Sequence, residues 1–274
     1  MRRFVCSLLL VVMVSSSFLS AAFFEPAGGK FALSPTLDGV LSGSGVVLLG
    51  TDFLIQKKLY QKPAHYDGGM RDVSEVNALD RLLMRPYDKT LSTLGKAACY
   101  VSLLTPAVLL ATPVKEWGTI GVMYAESVLL SFGMKELMKS VVYRDRPYLY
   151  DASWSSAIAD DGDWNCSFVS GHTTMAFTGA AFASYVFSSI YPDSPWKWPV
   201  VAGSYALALT TASLRIASGE HFLTDVLSGA VIGTLSGFLV PWAHTFEAKR
   251  QEEGKGRNTS LAIIPGAICC SVSF

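Results

Sequence analysis

The chain of 274 residues is 50% hydrophobic and only 16% charged, against about 25% charged residues in ordinary soluble domains, which excludes an unstructured chain. Its 22 basic and 22 acidic residues cancel, so it lacks the overall positive field of a nucleic-acid binder. A mean hydropathy of +0.35 and 23 glycines fit a membrane-embedded helical protein or an unusually apolar helical bundle.

Residues 1–22 read as a secretory signal peptide. Arg2 and Arg3 are the basic start, Phe4 to Leu19 is apolar, and Ser20-Ala21-Ala22 offers small residues for cleavage. The other reading is an uncleaved anchor helix. Leu37 to Ile55 is apolar but diluted by Gly, Ser, Asp38 and Asp52, a weak spanning segment. Residues 56–96 are polar, with eight Lys/Arg against five Asp/Glu. There Ser74 precedes an amphipathic run (Val76, Leu79, Leu82, Leu83) and could cap a helix.

Five stronger apolar stretches follow, at 97–112, 118–134, 173–191, 198–214 and 226–243. A spanning helix needs about 20 apolar residues. The third stretch has 19 residues without a charge. Pro106 in the first and Glu126 in the second leave those two open between spanning helices and core helices of a soluble bundle. The expected fold is all-α, a bundle of about five to six apolar helices that cross a membrane. Small residues (Gly171, Gly179, Gly229, Gly233, Gly237) suit close helix packing. Trp117, Trp154, Trp164, Trp196, Trp198 and Trp242 lie at the ends of apolar stretches or between them, as in an interfacial belt. The expected segments are the signal at 1–22, an N-terminal segment at 23–90, a main domain at 91–246 and a tail at 247–274. The tail looks strand-like around Pro265-Gly266.

The five cysteines include no C-x-x-C and no Cys/His cluster, so a zinc site is not expected, and no other metal or cofactor is expected either. His65 reads as a loop residue and His244 as an interfacial tip beside Trp242. Glu126, an acid inside an apolar stretch, is a functional candidate whose partner the sequence does not name.

Three short constellations carry chemistry. In KSVVYRDRP, Lys139 closes one helix and Arg146-Pro147 follows in the loop. Two cations converging beside an apolar helix ask for an anion, phosphate above all; the plain alternative is a pair of basic anchors. In Val169-Ser170-Gly171-His172-Thr173-Thr174, Ser170 offers a hydroxyl. Gly171 admits close backbone approach at a helix N-terminus, and His172 could act as general acid; the alternative is a capped helix start. In RIASGEHFLTD, His221 and Asp225 stand four apart. The carboxylate could fix the imidazole tautomer and leave the other nitrogen as a nucleophile, with Arg215 a third cation; a structural hydrogen bond is the alternative.

The pattern K-x6-RP, then SGH, then R-x5-H-x3-D resembles the type 2 phosphatidic acid phosphatase (PAP2) superfamily, which includes bacterial class A acid phosphatases and vanadium haloperoxidases. The resemblance covers Lys139 to Asp225 and the flanking helices. Two positions depart from it: Val169 stands where the family has Pro, and Leu214 where it has Ser, with Ser213 one place too early. The resemblance implies that His221 attacks phosphorus with Asp225 orienting it, and that His172 protonates the leaving oxygen. Lys139, Arg146, Ser170, Gly171 and Arg215 would then bind the phosphate oxygens, without metal. It implies a metal-independent phosphatase acting on phosphomonoester or pyrophosphate groups of lipid or isoprenoid substrates at a bacterial inner membrane, its site facing the periplasm. A soluble periplasmic acid phosphatase, a haloperoxidase and an inactive membrane protein are the rival readings. Membrane topology turns on whether 37–55 spans.

Overall fold

The computed structural model describes residues 29–58, 69–151, 163–256, 259–264 and 267–272. The expected signal peptide, His65, Trp154 and the Pro265-Gly266 turn lie outside them. Seven α-helices occur among the described residues: α1 (Pro35–Lys58), α2 (Ala78–Leu83), α3 (Lys89–Leu103), α4 (Val114–Val141), α5 (Gly171–Ile190), α6 (Lys197–Ala217) and α7 (Leu223–Gly256). A two-stranded antiparallel hairpin, β1 (Thr259–Ile264) and β2 (Ala267–Val272), follows.

Local chemistry fixes the boundaries. Pro35, whose missing N–H is no loss in a first turn, opens α1. Ser74 is not a cap. Asp72 caps a short 3-10 turn at Val73–Glu75, and Asn77 caps α2 through the Asp80 amide. The run at 76–83 does not bury one apolar face either: Val76 is buried, Leu79 and Leu82 are exposed, and Asp80 is fully buried. The stretch around Pro106 is an α-helix to Leu103 continued by a 3-10 helix at Thr105–Ala111, since the proline ring removes one i→i−4 bond.

Side chains of α5 form the centre. Phe182, Val186 and Phe187 pack with Phe31, Leu109, Ile120, Met123 and Val240 in one cluster. Ala176, Phe177 and Ala180 pack with Ala208, Ala212 and Val226 in another. Burial against neighbours on most sides thus accounts for the apolarity of α5. On α7, Gly229, Gly233 and Gly237 fall on one stripe against it. A Cβ at Gly233 would lie 2.2 Å from the Thr174 carbonyl oxygen, and one at Gly237 2.4 Å from that of Thr178. Helices α1 and α4 run parallel: Ser42 bonds Glu126 at 3.4 Å, and one end further on Ser140 bonds Asp52.

Among the described residues, four segments are long and apolar enough to cross a membrane: Pro35–Ile55, Lys89–Ala111, Lys197–Ala217 and Leu223–Gly254. The segment at 37–55, weak by sequence, is thus a full-length helix. Its Val40, Val47, Phe53 and Leu54 are exposed, as are Tyr100 and Leu104, Leu209, and Leu227 and Val231 on the other three. Exposed apolar surface on this scale marks a lipid-facing wall. Trp117, Trp196, Trp198 and Trp242, all at least 40% exposed, lie toward the end of the bundle where α4 and α6 begin and α7 finishes.

Candidate active site

The opposite end of the bundle gathers the three constellations. It is built from the last turn of α4, the first turns of α3, α5 and α7, the last turn of α6 and the loops between them. The loops are tied by backbone bonds: Ser170 N–H to the Asp225 carbonyl (3.0 Å), Asp88 N–H to that of Ser218 (3.1 Å), and Arg144 N–H to that of Asn165 (3.1 Å). Cys166 in this loop and Cys99 in α3 are buried free thiols.

His221 is 2% exposed. Its Nδ1 lies 2.8 Å from the Ser167 carbonyl oxygen. A carbonyl only accepts, so Nδ1 carries the proton and donates it, and Nε2 keeps its lone pair. Asp225 does not make that bond: its Oδ2 stands 3.8 Å from Nδ1. The carboxylate instead accepts from Ser167 Oγ (2.5 Å), the Phe222 amide (2.9 Å) and Arg144 Nη1 (2.6 Å). It therefore positions the residue that holds His221 and the turn that carries it. Burial, then Arg146, Arg215 and Lys139, push the imidazole well below its usual pKa, so His221 is neutral around pH 7.

The charges of Arg146, Arg215 and Lys139 all act on this ring. Lys139 is half-buried and makes no hydrogen bond among the described residues. Arg146 is 5% exposed and Arg215 1%. Arg146 Nε donates to the Asp163 carbonyl at 2.8 Å. Burial, then the charges of Arg215, His221 and Lys139, push His172, in the first turn of α5, well below its usual pKa, so it takes up a proton only when a bound anion offsets those charges. Ser170 is fully buried and exchanges a 2.9 Å hydrogen bond with the Thr173 hydroxyl. The side chain of Lys135, one turn before Lys139, lies against Gly171, where a Cβ would come within 3.0 Å of its Cδ. Val169 is fully buried, Leu214 is half-buried against Gly95, and Ser213 is exposed.

Sequence reasoning passed over several residues here. Glu220 sits between the two arginines: it is ion-paired to Arg146, its Oε2 lies 3.0 Å from Arg215 Nη2, and its Oε1 accepts from Ser92 Oγ at 2.6 Å. Burial pulls its pKa up, but Arg146, Arg215 and Ser92 outweigh that and hold it at about 2. Its signal was its place, directly before His221. Arg144, inside KSVVYRDRP, bonds Asp80 (2.6 Å) and Thr224 (2.7 Å) as well as Asp225, and lies 4.2 Å over the Phe222 ring. A cavity of about 400 Å³ between Asn77, Tyr143, Arg144, Tyr150 and Phe222 holds none of the predicted site residues.

His244 departs from expectation as well. It is fully buried and bonds Glu126 at 2.9 Å, so it is no interfacial tip, and it is the partner Glu126 lacked.

A family model described as the PAP2 superfamily matches residues 120–249. A lipid A 1-phosphatase of Porphyromonas gingivalis is 34% identical over 162 residues, covering 56% of this chain and 32% of that protein. The chain thus spans about a third of the length of this curated relative. Two solved structures are also similar. One is Aquifex aeolicus LpxE, at 22% identity and TM-score 0.42, covering 62% of this chain and 98% of that one. The other is a transmembrane PAP2-type phosphatidylglycerolphosphate phosphatase of Bacillus subtilis, at 21% identity and TM-score 0.40, covering 75% and 96%.

Proposed function

We propose that this membrane protein is a member of the PAP2 superfamily, whose family model matches residues 120–249, and a metal-independent lipid phosphatase working through a phosphohistidine. The observation that carries the reading is the state of His221. One nitrogen is fixed as a donor by the Ser167 carbonyl and the other accepts no described hydrogen bond, within the fields of Lys139, Arg146 and Arg215 and close enough to His172 for the two rings to interact.

The chemistry follows from that geometry. The His221 Nε2 lone pair attacks phosphorus, and the bond from phosphorus to the leaving oxygen breaks. His172 gives that oxygen a proton, then takes one from the water that cleaves the phosphorus–nitrogen bond. Lys139, Arg146, Arg215, the Ser170 hydroxyl and the Gly171 amide neutralise and position the remaining oxygens, which is most of what phosphoryl transfer needs. Asp225 acts through Ser167 and Arg144.

Exposed apolar flanks on α1, α3, α6 and α7 favour an amphiphilic phosphomonoester or pyrophosphate over soluble phosphates. Lipid A phosphate comes first among the substrates to test, because of the curated relative; phosphatidic acid, phosphatidylglycerophosphate and undecaprenyl pyrophosphate come next. We place the site at the periplasmic face of the inner membrane, with Lys249 and Arg250 at the end of α7 on the cytoplasmic side. The main unit is taken as 91–246, with 23–90 as an N-terminal segment and 247–274 as a tail.

The test is phosphate release by purified protein from these lipids and from ATP, with and without EDTA and vanadate. Hydrolysis of a lipid phosphate that EDTA spares and vanadate blocks is expected. His221→Ala should abolish it, and His172→Ala should slow it about 10³-fold. Full activity in His221→Ala removes the mechanism, and preference for ATP removes the lipid assignment.

A further inference from the structure

About 34 Å along α7 from His221, by 23 residues at 1.5 Å each, a second polar cluster is sealed inside the bundle. Asp38 of α1, Glu126 of α4 and His244 of α7 are each 3% exposed or less, and their ligand atoms lie within 4.8 Å of one another. Neither carboxylate oxygen of Asp38 accepts a hydrogen bond. His244 Nδ1 lies 2.9 Å from the Ala32 carbonyl oxygen, so that nitrogen is a donor. Its Nε2 faces Glu126 Oε2 at 2.9 Å and Asp38 Oδ1 at 3.8 Å.

A protonated His244 offers only one Nε2 proton, which Glu126 takes at hydrogen-bond distance. Asp38 then keeps a buried carboxyl group with no hydrogen-bond partner at good geometry, an arrangement that proteins avoid. A divalent cation answers every feature at once. Two carboxylates and a neutral imidazole carry two negative charges, which it cancels. The separations of 2.9 and 3.8 Å straddle the roughly 3.4 Å between neighbouring ligands of a tetrahedral ion at about 2.1 Å. The supporting shell is present: the Ala32 carbonyl fixes the imidazole tautomer, and Ser42 Oγ bonds Glu126 Oε1 at 3.4 Å.

We propose that Asp38, Glu126 and His244 form a binding site for one divalent transition-metal ion, Zn²⁺ first by its donor set, which clips α1 to α4 and α7. The site is separate from the phosphatase reading and stands or falls without it.

The experiment loads purified full-length protein with Zn²⁺, removes excess by gel filtration, and measures bound metal and the melting temperature. About one zinc per chain and a raised melting temperature are expected. Asp38→Asn and His244→Gln should lose the metal, and Ser42→Ala should weaken binding about tenfold. His172→Ala and His221→Ala should keep it. The proposal is overturned if wild type holds no zinc beyond the Asp38→Asn level, if its melting temperature does not move with Zn²⁺, or if the bound zinc follows His221 rather than His244. The wild-type measurements decide even where a variant does not fold.

Discussion

Glu220 shows how the site keeps two guanidinium groups side by side. Arg146 and Arg215 would repel each other in a buried pocket, and the carboxylate between them cancels that repulsion. On the proposed reading, in which both arginines hold phosphate oxygens, substrate would have to displace or share it. Glu220→Gln should therefore tighten inhibition by inorganic phosphate or vanadate in a competition assay. It should also lower stability by about 3 kcal/mol in a denaturant melt, the scale on which breaking a buried pair is felt. Because the folded-state pKa of Glu220 is depressed to about 2 from 4.5, its contribution is complete above about pH 4.5 and fades as pH falls from there through about 2. The variant should lack that component of acid destabilisation. His221, held well below its ordinary pKa, stays unprotonated at pH 6.5. Its ring proton signals, followed by NMR, should not titrate between pH 6 and 7.5; a titration centred near pH 6.5 would contradict the environment described for the ring. At this scale the sequence picked out side chains that the fold brings to one end of the bundle, since His, Lys and Arg at helix boundaries have few structural uses. It did not show that the His221 tautomer is set by a backbone carbonyl, because Ser167 lies 54 residues away and any residue supplies the same carbonyl.

The contact of α5 with α7 is what aligns Ser170, Gly171 and His172 with His221 and Asp225. It depends on Gly233, where a Cβ meets a main-chain oxygen that cannot rotate away. Gly233→Ala should cost about 1–3 kcal/mol and reduce phosphatase activity, measured as melting temperature and phosphate release. Gly203→Ala on α6, with open space around the added carbon, should be neutral or stabilising by up to about 1 kcal/mol, with activity intact. Helix positions were readable from apolar runs, and the small-residue stripe was visible as a spacing of four. Caps and short elements were harder. Asn77 rather than Ser74 starts α2, because the buried Asp80 is needed to bond the Thr224 amide at 2.9 Å and Arg144 at 2.6 Å. That tertiary demand leaves no periodicity in the apolar pattern.

In the whole molecule, α1, α4 and α6 run toward the site, and α3 with its 3-10 extension, α5 and α7 run away from it. Ala32 N–H donates to the His244 carbonyl at 3.2 Å, so residues near 32 and near 244 share the end remote from the candidate site. A periplasmic site therefore demands that both be cytoplasmic. Reporter fusions after residues 65 and 250 should then report opposite sides, the first with the site and the second inside. The expectation of a signal that exports the N-terminus is incompatible with that arrangement once α1 spans, and the fusions decide between them. Sequence could not make this connection, since it depends on a contact between residues more than 200 positions apart. α7 is about 51 Å long at 1.5 Å for each of its 34 residues, more than the roughly 30 Å of hydrocarbon in a bilayer, so it carries the β1–β2 hairpin clear of the lipid. Because the described beginning and end of the bundle emerge on one face, they could be spliced head to tail. A ring so closed and reopened in the turn at 191–196, on that same face, would keep every helix pointing as it does now and leave the candidate site at the far end untouched.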